Sequence, residues 1–396
     1  MVDQIQVATL GGAAAKPARI AYIDWLRGLA CVGMFQAHCY NSWLRPSARN
    51  AGLDGFYGWS QLIATLPAPL FILLAGLSIA MITQHSRQKG GARNAIARTT
   101  ILRGAEIFGL GLLFRGQEYL LGYPNAPWTD LLRVDVLNIL GLSMMLVGVL
   151  CWLTASATPE KSNTRAIGWG LIAATAIAVA TPWLWTTHRL RSLPWPIESY
   201  LNGVHIYAQP QPWLFPIFPW VAFAFVGSSL GFLLFSEFAR RKETLLFGVL
   251  AVAGTAASLL SVLFDFGPIR LYSTAIYDYW HTSPNFFLMR CGILLALVSV
   301  AYAWCRWGWA QRGFSPIIQL GNTSLLVYWA HIEFVYGRFS ILPKGQCSLL
   351  KATAGLLVIF VAMVALSVFR TRWKKRRATV LQSSQPPAAA ATAESG

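Results

Sequence analysis

Apolar residues run along this chain in ten stretches, at roughly 21–44, 57–83, 100–122, 136–155, 166–187, 213–236, 244–265, 285–305, 316–337 and 349–370, separated by short polar connectors. Each is near the ~20 residues a helix needs to cross a bilayer. The pattern predicts an all-α polytopic membrane protein of about ten transmembrane helices. One membrane domain is expected over 20–372, after an N-terminal tail (1–19) and before a basic, then low-complexity and disordered, tail (373–396). The polar residues that interrupt the apolar pattern are few. The first span alone carries Asp24, Arg27, Gln36, His38 and Asn41. Ionisable groups at bilayer depth cost a few kcal/mol each, so their positions point to function.

Composition agrees with lipid as the solvent: 55% of the 396 residues are hydrophobic and 12% charged. The net charge of +17 brings nucleic acid to mind, but the placement of the cations excludes it. With the N-terminus inside, 19 of the 32 Lys and Arg fall in inner segments, 9 in outer ones and 4 (Arg27, Arg103, Arg115, Arg290) within spans. This is the positive-inside bias, and it puts both termini in the cytoplasm. The cluster "RTRWKKRR" at 370–377 then reads as a stop-transfer segment near anionic lipid. Residues 1–20 lack a compact apolar core with a cleavage site, so the first span is expected to be its own insertion signal. The inner (plasma) membrane of a bacterium is the expected location. The six cysteines lie in or beside apolar runs, except Cys347 in a loop, and read as buried thiols without disulfide or metal-site spacing. Aromatic-rich outer segments at 188–212 and 266–283 have two readings: an interfacial belt, or a face that stacks on sugar rings.

Arg27 and His38 are eleven residues apart, about 20° past three full turns, so they share one face of the first helix. Their separation along the axis is roughly 16–17 Å. Two groups that far apart suit the ends of a long ligand, and an acyl-coenzyme A has that form: an anionic nucleotide at one end, a thioester at the other. Arginine stays charged and forks onto phosphate, while histidine titrates near neutrality and can take a proton from an attacking hydroxyl or amine. Asp24 is placed i, i+3 to pair with Arg27. The other readings are a snorkelling interfacial ion pair for Asp24 and Arg27 and a hydrogen-bonded core histidine for His38.

Further candidates follow the same logic. In span three, Arg103 with Glu106 and Arg115 with Glu118 are i, i+3 pairs expected to face the bundle interior or a polar cavity. The first pair reads as a structural lock, and the second lies level with His38. Asp130, Arg133 and Asp135 cluster where span four opens. There they either exploit the helix dipole or orient His38 and an acceptor. The segment "GNTSLLVYWAHIEFVYG" (321–337) holds Asn322, Ser324, Tyr328, His331 and Glu333. Ser324, Tyr328 and His331 share a face that serves as an interhelical seam or as a second cavity wall.

"IDWLRGLACVGMFQAH", "PLFILLAGLSIAM", "LRVDVLNILGL", "FPIFPWVAFAFVGSSLG" and "GNTSLLVYWAH" resemble the heparan-alpha-glucosaminide N-acetyltransferase catalytic-domain family, best over 20–145. The Arg27-to-His38 spacing is similar to that of the acyltransferase-3 family. The resemblance implies a transmembrane acyltransferase that moves an acetyl or similar acyl group from cytoplasmic acyl-coenzyme A to a hydroxyl or amine of a saccharide. No metal-site motif appears, so no metal is expected, and the cation placement leaves no nucleic-acid partner expected. In the heparan enzyme the catalytic histidine is assigned to the loop after the first helix. Residues 39–84 contain no histidine here, which leaves His38 as the nearest candidate, either base or transient acyl carrier. A transporter of an anionic or lipid-linked substrate is the alternative class. The absence of an inverted repeat and of paired broken helices speaks against it.

Overall fold

The computed structural model describes residues 18–49, 55–186, 190, 192–204, 214–266, 278–308 and 313–383. Both expected tails and parts of the two aromatic outer segments lie largely or wholly outside the described residues. The described chain is helical and has no strand; an isolated bridge joins Leu44 to Cys347.

The first half of the bundle comprises α1 (Ala18–Trp43), the short α2 (Pro46–Arg49) and α3 (Phe56–Ala64), then α4 (Pro67–Gln88), α5 (Arg93–Gly122), α6 (Val136–Leu153) and α7 (Pro159–Thr186). The second half comprises the short α8 (Trp195–Asn202), α9 (Ile217–Leu234), the short α10 (Glu237–Arg241), α11 (Glu243–Phe266), α12 (Pro284–Trp307), α13 (Pro316–Asn322), α14 (Ser324–Val335) and α15 (Leu349–Ser383). Among the described residues seven helical stretches are long and apolar enough to cross a membrane: Phe56–Gln88, Trp128–Leu153, Pro159–Trp185, Ile217–Leu234, Glu243–Asp265, Pro284–Trp307 and Leu349–Arg377. Three of the ten expected spans fall outside that set. They coincide with α1, α5 and the α13–α14 pair, the segments richest in the polar residues noted above.

Two expected spans are interrupted. The 57–83 stretch divides between α3 and α4 at Thr65–Leu66, with Pro67 at the first position of α4, where its missing N–H costs nothing. The 316–337 stretch breaks at Thr323, whose φ/ψ of −129°/27° is not helical. Its hydroxyl turns instead to Ser367 on α15 at 2.5 Å. Gln319 donates to Ser367 (2.9 Å) and Thr371 (2.8 Å), so a polar seam holds the broken segment against α15.

Helix α1 lies at the centre, packed against α4, α12, α13, α14 and α15. Glycine permits the closest of these contacts. A Cβ on Gly28 would stand 1.8 Å from the Ile317 carbonyl oxygen, and one on Gly321 would stand 1.8 Å from that of Asp24. Between lipid-facing helices, close backbone approach of this kind replaces the hydrophobic drive. Gly28→Ala is therefore expected to destabilise the fold by about 1–3 kcal/mol through overpacking. Gly109→Ala, where the added carbon meets nothing within 4 Å, is expected to be neutral or slightly stabilising. Thermal unfolding in detergent measures both. All six cysteines are free and buried.

Candidate functional site

A cavity of about 1090 Å³ opens between α1, α4, α5, α6, α9, α12 and α14. That is at the upper end of the ~300–1,000 Å³ usual for ligand pockets. Arg27 and His38 both line it, as the shared helix face requires.

At one end, Arg27 donates to Asp24 at 3.3 Å and to Ser78 Oγ at 2.7 Å. Ser78 is anchored by its own bond to the Leu74 carbonyl (2.7 Å), so the guanidinium is fixed between α1 and α4 while a third of its side chain stays open. Arg103 lines the cavity, and the expected Arg103–Glu106 pair is present at 2.6 Å. It is open rather than turned into the bundle, with side-chain exposures of 62% and 60%.

At the other end, two imidazoles meet. His38 Nδ1 lies 2.9 Å from His331 Nε2, with ring planes 8° apart. His331 is fully buried, and its Nδ1 lies 2.9 Å from the Val327 carbonyl. A carbonyl only accepts, so His331 Nδ1 must carry the hydrogen. The neutral His331 then accepts at Nε2, and His38 donates from Nδ1. His38 lines the cavity, and its Nε2 lone pair has no partner among the described residues. This tautomer is assigned by the hydrogen-bond chain. Tyr336 packs edge-on to His38 and takes a hydrogen bond from Asn41 Nδ2 at 2.9 Å.

The acidic and basic groups around this end pair differently from expectation. Arg115 reaches across to Asp135 on the α6 cap (3.1 Å) rather than to Glu118 on its own helix. Asp135 also accepts from the Val136 backbone (2.6 Å) in a capping box with Asn138, and from Tyr328 at 3.4 Å. Three elements thus converge on one carboxylate, which an i, i+3 rule cannot anticipate. Glu118 instead sits against Glu333, which Gln117 engages, while Trp329 Nε1 donates to Gln117 at 2.8 Å. Glu118, Asp130, Arg133, Asp135, Ser324 and Tyr328 all line the cavity. His331 stands behind that wall. Asn322 does not join the group. It is exposed at the α13 end, where neighbouring Gly321 packs on Asp24, roughly 20 Å along α1 from His38.

The model of the heparan-alpha-glucosaminide N-acetyltransferase catalytic family matches residues 19–265. The chain belongs to this family. Membership makes it a membrane acetyltransferase. No curated relative matches the chain. The family match spans α1 to α11 and so includes Arg27, His38, Arg115, Glu118, Asp130, Arg133 and Asp135. Tyr328, His331 and the rest of the second wall lie beyond it. Among the described residues no cluster of His, Cys, Asp and Glu is arranged to hold a metal ion. Sequence reasoning passed over Ser78 and Tyr336, ordinary residues whose roles depend on contacts across the fold. It also left Arg290 unassigned, although a lone arginine seven residues into the apolar α12 is a signal.

Proposed function

We propose that this acetyltransferase takes its acyl group from acetyl-coenzyme A and delivers it to a hydroxyl or amine of a saccharide. The observation that carries the reading is one continuous cavity with a fixed guanidinium at one end and a bare imidazole nitrogen at the other, about three helical turns apart. Arg27, held by Asp24 and Ser78, receives the donor's anionic nucleotide end. The pantetheine arm runs along α1 toward His38. His38 Nε2 removes the proton from the acceptor as its oxygen or nitrogen attacks the thioester carbon. The C–S bond breaks, and the departing thiolate recovers that proton from the imidazolium. His331 holds the ring through Nδ1 so that Nε2 stays aimed at the reacting atoms.

The proposed topology has ten spans with both termini in the cytoplasm, α1, α5 and α13–α14 being the three polar ones. That puts Arg27 on the side where acyl-coenzyme A is made. The plasma membrane of a bacterium is the proposed setting.

The test is transfer of labelled acetyl from acetyl-coenzyme A to saccharide acceptors by the purified protein in proteoliposomes. Acyl transfer supports the reading, and saccharide movement without thioester cleavage would replace it with a transporter. In the same assay Arg27→Met is expected to raise the donor KM roughly 10–100-fold, the loss of a charge-assisted hydrogen bond, with a smaller change in kcat.

A further inference from the structure

We propose that Arg290 is the acceptor's anion-recognition residue, so that the saccharide taken by this enzyme carries a carboxylate or phosphate beside the group that is acylated. Arg290 lines the cavity from α12 and is 95% buried, at 5% exposure. Its guanidinium lies 4.0 Å over the Phe286 ring and 5.6 Å from the rings of Trp220 and Phe223. Among the described residues it has no carboxylate and no hydrogen-bond partner, and its Nε is buried and unsatisfied. Aromatic faces offset part of the cost of burying a cation, but they leave every N–H of the fork unmet. A buried fork open to a ligand cavity is complementary to an oxyanion.

The position separates this cation from the donor's phosphates. On α9, Gly227 meets Leu73 and Gly231 meets Leu77, so Trp220 and Phe223 stand level with the start of α4, where Pro67 meets Gly33, and not with Ser78, which holds Arg27. Side chains on a helix lean toward its N-terminus, and the guanidinium does reach back one turn to Phe286. Lying over these rings, the cation stands on the His38 side of Arg27, roughly 13 Å along α4 from the level of Ser78. The thioester end of a coenzyme A has no anion to offer there. The acceptor does, and Trp220 and Trp280 line the same stretch of wall with flat faces suited to a sugar ring.

This inference rests on the acyl-transfer reading above, and its test is built to fail separately. Three probes are used: glucose, glucuronate and glucose 1-phosphate. Binding to the full-length protein in nanodiscs is measured by calorimetry, and acetyl transfer to each is measured from acetyl-coenzyme A. The wild type is expected to favour one of the anionic probes over glucose by tenfold or more. Whether glucuronate or glucose 1-phosphate is favoured tells carboxylate from phosphate. Arg290→Gln is expected to abolish that preference while changing glucose handling and donor KM less than twofold, and Arg290→Lys is expected to keep part of it. Arg290→Met, which removes an unpaired buried charge, is expected to leave Tm unchanged or raised. Equal wild-type binding of all three probes, an equal loss for all three in Arg290→Gln, a raised donor KM or a lowered Tm in Arg290→Met would each overturn the assignment. If no probe is acetylated at all, the acyl-transfer reading falls. Calorimetry still decides whether Arg290 selects anions.

Discussion

His38→Ala is expected to lower kcat for acetyl transfer about 10²–10⁴-fold, the range for loss of a positioned general base. Donor KM should change little, because Arg27, the guanidinium proposed to hold the nucleotide end, is three turns away and its bonds to Asp24 and Ser78 are untouched. Rapid mixing with labelled acetyl-coenzyme A in the absence of acceptor adds a second readout. A base leaves the protein unlabelled, whereas an acyl-carrying His38 would trap the label at Nε2. Replacing its buttress tests the geometry separately. His331→Ala frees the ring of His38 to rotate and lose its tautomer, so kcat should fall while His38 itself remains. Wild-type turnover in His38→Ala would remove this imidazole from the chemistry.

The largest expected loss of stability follows from the second charged pair. Arg115 is 5% exposed and its partner Asp135 is nearly as deep, at 3.1 Å. Breaking such a pair from one side leaves a buried charge without compensation, at about 3–5 kcal/mol. Asp135→Asn does this cleanly, since asparagine still caps α6 as well as aspartate does. Adding Arg115→Met should recover most of the loss, because the desolvated cation goes with its partner. A double-mutant cycle on thermal unfolding gives the coupling. If the two single losses simply add, Arg115 and Asp135 do not depend on each other.

Much of the frame was legible in the sequence because lipid enforces a simple rule: a helix hides its backbone polarity, and its length is set by the bilayer. The described residues of the ten apolar stretches fall on helices, two of them interrupted, and seven of those helical stretches are long and apolar enough to cross a membrane. The stripe from Arg27 to His38 was legible for the same reason, since helical periodicity needs no knowledge of neighbours. What stayed hidden was choice among partners. Arg115 has Glu118 one turn along its own helix and Asp135 across a groove. Both are chemically acceptable, and only packing decides. The break at Thr323 was equally hidden, because it depends on a hydroxyl on α15 that competes for the local backbone. Arg290 was visible as an isolated charge, but its aromatic surroundings come from α9 as well as its own helix, so its isolation from carboxylates could not be read from order alone.

The clamp on the imidazole proposed as the base joins residues 293 positions apart in the chain. During synthesis α1 enters the bilayer among the earliest helices, yet its reactive nitrogen is not aimed until α14 docks, after more than three quarters of the protein has been made. On the proposed mechanism the nascent enzyme is therefore inert for most of its assembly. A chain ending after α11 would retain the whole family-matched stretch and, on the same proposal, is expected to be catalytically silent.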